Sequence, residues 1–152
     1  MTLFPLYLAI CAVPATAGIL FQPGSWYRDL DKPSWTPPDK LFPVIWAVLY
    51  VLMSLAAARV ATQPYSALAL GLWSLQITIS TLWSAVFFGL HRIRTGAVII
   101  AVLWGAVLAT TLAFLRHDLV AALMMLPYLA WGSFALALNL SVIRRNPSMD
   151  AA

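Results

Sequence analysis

Hydrophobic positions dominate this chain in five unbroken stretches, and the charged positions fall between them. Residues 1–27, 41–58, 60–91, 95–115 and 119–143 contain no Asp, Glu, Lys or Arg. Each stretch has 18 or more residues, and a helix needs about 20 to cross a hydrocarbon core of roughly 30 Å. A charged side chain at mid-membrane costs about 2.5–3.5 kcal/mol even on the lenient insertion scale, so charge-free runs of this length mark lipid-compatible segments. The runs are apolar on nearly all sides, unlike barrel strands, which alternate over about 10 residues, and open sheet edges cannot face lipid. The pattern predicts an all-α bundle of five transmembrane helices near 4–22, 42–61, 66–89, 95–115 and 119–143, forming one domain over 1–152. Ala15-Thr16-Ala17 resembles a signal-peptidase site. The residues before it, Met1-Thr2-Leu3-Phe4, carry no basic side chain, so the first run is expected to stay as a span.

Composition sharpens this picture. Of 152 residues, 62% are hydrophobic and 9% charged, with mean hydropathy +0.88; soluble domains carry about 25% charged residues. That excludes a soluble enzyme, a disordered chain and a secreted disulfide scaffold, and the single Cys11 allows no intrachain disulfide. The net charge of +4 is spread over nine basic residues without a dense stripe, so no nucleic-acid partner is expected. Arg28, Lys32, Lys40, Arg92, Arg94, Arg144 and Arg145 fall on the side of the C-terminus, against Arg59 and Arg116 on the other. The positive-inside rule then puts the C-terminus and the loop 22–41 in the cytoplasm.

That loop, QPGSWYRDLDKPSWTPPDKL, holds four prolines, two tryptophans and six charges that sum to zero. Proline fixes φ and restrains its predecessor, which makes the loop stiff and non-helical. Trp26 and Trp35 serve either as interface anchors or as parts of a lid. Pro43 suits a first helical turn. Pro14 and Pro127 fall inside spans, where neighbouring helices can satisfy the freed carbonyls. Ala97, Ala101, Gly105 and Ala109 form a small-residue ridge for either packing inside the bundle or a dimer seam.

Uncharged polar and aromatic residues mark further faces. Gln76, Ser80, Trp83, Ser84 and Phe87 share one line, as do Pro127, Trp131, Ala135 and Asn139, and Trp46, Tyr50 and Met53. Gln76 and Asn139 should point inward, because an amide in lipid needs a partner. They act as interhelical hydrogen-bonding groups, or as handles in a Trp- and Tyr-lined cavity under the loop that suits a flat apolar ligand with one polar edge. No carboxylate lies in a span, which argues against an ion-coupled relay. No phosphate loop, metal-ligand cluster or nucleophile–base pair is present, so neither a metal nor an obligatory cofactor is expected, and His91 and His117 read as interfacial.

Trp26-Tyr27, Leu30, Lys32-Pro33, Trp35 and Pro37-Pro38 resemble the WY..L.KP.WTPP loop of the TspO/MBR family of tryptophan-rich sensory and mitochondrial translocator proteins. The resemblance continues through Phe42-Pro43, Trp46, Leu49-Tyr50, Met53, Gln76, Trp83-Ser84 and Phe87-Phe88-Gly89. It closes with Pro127-Tyr128, Trp131, Phe134-Ala135, Leu138-Asn139 and Arg145-Asn146, so it covers nearly the whole chain in order. It implies a five-helix membrane bundle, commonly a homodimer, that binds tetrapyrroles such as protoporphyrin IX and haem. Such a protein acts as a sensor, regulator or transporter of porphyrin intermediates, and members also bind cholesterol and benzodiazepine-type ligands. Carried over, the ligand site comprises Tyr27, Pro37, Trp46, Tyr50, Ser80, Trp83, Trp131 and Ala135, with Arg28, Lys32 and Lys40 placed to meet propionates. Some bacterial members degrade protoporphyrin in light, and Trp46 and Trp131 are then the catalytic candidates. Light-driven degradation and lipid or sterol carriage stand as alternatives, beside a ligand-free structural bundle.

Two positions depart from the family pattern. Ser80 stands where many bacterial members have Asn, which removes an amide donor. Leu138-Asn139 is followed by Leu140 instead of the Tyr of the vertebrate sterol pattern, and this weakens a sterol role.

Overall fold

The computed structural model describes residues 2–147. The chain forms α1 (Phe4–Leu20), α2 (Ser25–Asp29), α3 (Leu41–Val60), α4 (Ala67–Ser84), α5 (Ile93–Leu115) and α6 (Leu119–Arg145), and a π-helical turn, Ala85–Gly89, extends α4. Among the described residues there is no strand.

Four helices are long and apolar enough to cross a membrane: α3, α4 with its π turn, α5 and α6, at 20, 23, 23 and 27 residues. The expected first span, 4–22, is shorter than the others, at 17 residues. Its end has a local cause. Phe21 leaves the helix at φ −109°, ψ 68°, and Gln22 precedes Pro23, whose ring disfavours helical backbone in the residue before it. Pro43 takes the third position of α3, where its missing N–H breaks no helical bond. α6 begins with the one side-chain cap among the described helices. Asp118 accepts from Ala121 N–H at 2.9 Å and pairs with Arg59, at the end of α3, at 2.8 Å.

The five longer helices close into a ring in the order α1, α3, α6, α5, α4. The outer surface is studded with exposed Leu and Val, including Leu6, Val44, Val48, Leu75, Val98, Val102 and Leu123, more apolar surface than water tolerates. Inside, buried residues form two clusters. One gathers around Met53, Trp73, Phe114 and Met125. The other, nearer the long loop, holds Tyr27, Leu30, Trp83, Phe87, Ile93 and Leu138.

The small-residue ridge divides between inside and outside. Ala97 is buried, but Ala101 and Gly105 are exposed, and a Cβ added at Gly105 would meet nothing within 4 Å. The ridge therefore does not pack inside the bundle at its centre. Gly96, one position from Ala97, carries the tight contact instead: a Cβ there would lie 2.8 Å from Phe87 Cδ2 and 3.3 Å from its Cβ. This glycine lets the π turn of α4 settle against α5.

Candidate functional site

Between the two buried clusters lies a narrow cleft with about 20 Å³ of open space, lined by residues of α3, α4, α5 and α6. Helical periodicity builds its walls. Trp46 stands one turn before Tyr50, and their rings stack at 5.4 Å. Trp46 also meets Tyr128 of α6 edge-on at 5.7 Å. Further along α6, Trp131 stacks on Phe134 at 5.3 Å and receives Phe42 edge-on at 5.7 Å. From α4, Trp83 stacks on Phe87 at 5.3 Å, 16° from parallel. Ile100, Leu103, Trp104 and Val107 complete the wall from α5.

The cleft is almost wholly apolar, and two of the residues that line it, Trp83 and Tyr128, each carry a buried polar atom, Nε1 and Oη, without a hydrogen-bond partner. Tyr128 Oη faces the Ser80 hydroxyl but makes no bond of standard geometry. An unpartnered buried donor costs about 1–3 kcal/mol, so these two groups are poised for an acceptor. Gln76 and Asn139 point inward, as their polarity requires, at 0% and 3% exposure. Gln76 reaches across to Met53 Sδ at 3.8 Å, whereas Asn139 donates within its own helix to Ala135 O at 3.1 Å. Each leaves its amide oxygen unpaired.

Four of the eight expected ligand residues meet in the cleft: Trp46, Trp83, Trp131 and Ala135. The other four stand outside its wall. Tyr50 backs Trp46, and Ser80 is buried beside Tyr128. Tyr27 is buried under the loop against Phe88 at 5.4 Å, and Pro37 is half-buried in the loop. Burial, with a smaller contribution from the Asp39 carboxylate, pushes the Tyr27 phenol up to about 12. Of the loop charges, Arg28 and Lys40 are exposed. Lys32 is engaged. Its ammonium donates to the carbonyls of Tyr27, Arg28 and Leu30 at 2.5, 3.1 and 3.2 Å and sits 4.7 Å from the centre of the Tyr27 ring.

Trp104, Tyr128, Phe42 and Gly132 also line the cleft, outside the predicted set. Trp104 had a legible signal, since it shares the i, i+3, i+4, i+7 face of Ile100, Leu103 and Val107. It donates to Ser133 at 2.9 Å, and Gly132 admits its ring, 3.3 Å from where a Cβ would lie.

The long loop reaches both sides of this cleft. Trp26 stacks on His91 at 4.5 Å, and Trp35 meets Phe134 edge-on at 5.4 Å. His91 takes φ 56° in the turn between α4 and α5, and neither it nor His117 lines the cleft. Among the described residues no three His, Cys, Asp or Glu side chains gather as a metal site.

The sequence profile of the TspO/MBR family matches residues 3–145. Protein CrtK of Rhodobacter capsulatus is 46% identical over 151 residues, covering 97% of this chain and 94% of its own. The tryptophan-rich sensory protein of Cereibacter sphaeroides is 44% identical over 144 residues, covering 95% and 91%. The human translocator protein is 33% identical over 126 residues, covering 80% and 75%. With an apolar helical ring around a tryptophan-lined cleft and these matches along its length, the chain belongs to the TspO/MBR family.

Proposed function

We propose that this protein binds a tetrapyrrole, protoporphyrin IX or haem, in the cleft and serves as a membrane sensor, regulator or transporter of porphyrin intermediates. One observation carries the reading: indoles from α3, α4 and α6 converge on a single apolar cleft. Indole faces stack on a flat macrocycle. The cleft is narrow as it stands, so ligand access requires the loop and its aromatic contacts to shift. Arg28 and Lys40, exposed on the loop, are available to propionates at the surface; Lys32 is held by its carbonyls.

In this reading α1 completes a five-span, single-domain bundle; at 17 residues it stands at the short end of the roughly 17–25 found for spans. The basic-residue asymmetry puts the loop and C-terminus in the cytoplasm, and the exposed Ala101–Gly105 face serves a homodimer seam.

The test is titration of the purified protein with protoporphyrin IX, read by tryptophan quenching. Trp46→Ala and Trp131→Ala should each weaken binding at least about tenfold, the loss expected for a stacking aromatic. Unchanged affinity in both would remove this assignment. A second reading, light-driven porphyrin breakdown, draws on the same geometry, because Trp46 and Trp131 are oxidisable indoles on the cleft wall. Bleaching in light no faster with protein than with detergent alone would exclude it.

A further inference from the structure

The middle of the 21–40 loop is tied to the far end of the chain by one side chain. Asn146, which follows the last turn of α6, accepts a hydrogen bond from Asp31 N–H at 3.0 Å and donates to Asp31 C=O at 2.9 Å. This reciprocal pairing gives one residue's backbone what a neighbouring strand would offer it. The same amide nitrogen donates to Val142 C=O at 2.9 Å, and Asn146 N–H reaches that carbonyl at 3.0 Å. The side chain is thereby fixed to the helix end while it holds the loop. A carboxamide of this length carries donor and acceptor side by side; Asp lacks the donor and Ala lacks both.

The nearby ion pair is a weaker tie. Arg145 and the Asp31 carboxylate are 3.5 Å apart, with side chains 46% and 61% exposed, so solvent and salt screen them. From Asp31 the loop runs to both walls of the cleft. On one side are buried Leu30 and Tyr27, the latter against Phe87, which stacks on Trp83. On the other is Trp35 against Phe134, which stacks on Trp131. Tyr27 and Trp35, which make these contacts, each lie four residues from Asp31 along the loop.

We infer that Asn146 is a positioning residue: it latches the 21–40 loop through the backbone of Asp31 and sets how fast a ligand enters and leaves the cleft. The kinetic half of this inference rests on the ligand reading proposed above; the latch itself does not.

The test uses the full chain in nanodiscs. In Asn146→Ala, exchange of the Asp31 amide hydrogen should rise about tenfold with no ligand present, as expected for the loss of two paired bonds. Association and dissociation rates of protoporphyrin IX should rise together, with a smaller change in Kd. Asp31→Ala keeps the backbone groups that the latch uses and should behave as wild type. Asn146→Asp keeps length and acceptor while losing the donor, and should raise Asp31 exchange by a smaller factor; it carries the test if Asn146→Ala does not fold. Unchanged Asp31 exchange in the Asn146 variants overturns the latch. So does an Asp31→Ala variant as loose as Asn146→Ala, which would assign the tie to the Arg145 ion pair. Raised exchange with unchanged porphyrin rates overturns the kinetic role. Failure of the wild-type protein to bind protoporphyrin counts against the ligand reading, while exchange still decides the latch.

Discussion

Trp83 and Tyr128 line an almost wholly apolar cleft, and each has a buried polar atom without a hydrogen-bond partner. In the empty protein an unpaired donor is a cost, and with an acceptor beside it the same donor is a gain. Trp83→Phe should therefore leave the apparent Tm unchanged or raise it, while weakening protoporphyrin binding by up to about tenfold. A lower Tm with unchanged affinity would assign Trp83 to packing alone. Tyr27 has a different dependence. Its phenol ordinarily ionises near 10.0 and is pushed up to about 12 by burial and by Asp39. The folded state thus favours the neutral phenol, and this stabilisation is complete below pH 10 and lost as pH rises through about 12. Thermal unfolding in detergent should show Tyr27→Phe losing less stability than wild type across that window. Of the residues named here, Trp46, Trp83, Trp131 and Ala135 were legible in the sequence as parts of the cleft. Tyr50 and Ser80 shared their helical lines and still fell outside the wall. Spacing gives a face; which residue on it reaches the cavity depends on how far the neighbouring helix has rotated.

At the scale of elements, the charge-free runs located every long helix, because lipid admits hardly any other conformation. The ends were less legible. α1 stops at Leu20 because of Pro23, and the last turn of α4 widens to π, with Leu90 N–H bonding Ala85 O at 3.0 Å. π turns cluster at functional sites, and this one places Phe87 against Trp83, Trp26 and Tyr27. The start of α6 supports a prediction. Burial alone would raise the Asp118 carboxyl, but the Ala121 N–H and Arg59 hold it below its ordinary 3.8. Its stabilisation is therefore complete above pH 3.8 and fades as pH falls through the lowered value. Asp118→Ala loses the cap and the ion pair, and the cap alone is worth about 0.5–2 kcal/mol. Asp118→Asn keeps a capping oxygen and should cost less. Thermal scans at pH 7 in which Asp118→Asn costs as much as Asp118→Ala would assign the stabilisation to the ion pair with Arg59 and not to the cap.

For the whole molecule, the ring order brings α4, α5 and α6 side by side and leaves Ala101 and Gly105 facing outward. No atom lies within 4 Å of a Cβ at Gly105, so Gly105→Leu should fold normally and, if the proposed seam is right, shift the protein from dimer to monomer. Native mass spectrometry from nanodiscs reads this directly, and a variant that stays dimeric moves the seam elsewhere. The sequence by itself determined the all-helical membrane architecture, since 9% charged residues placed only between apolar runs leave a chain little other choice. It also marked the stiff loop and the tryptophan-bearing faces, which follow from proline geometry and helical period. Only the tertiary structure decided that the small-residue ridge faces out at Ala101 and Gly105, that Lys32 is held by the carbonyls of its own loop, and that Asn146 holds Asp31 across 115 positions of chain. Those outcomes depend on helix rotation and on contacts distant in sequence, which no local periodicity encodes.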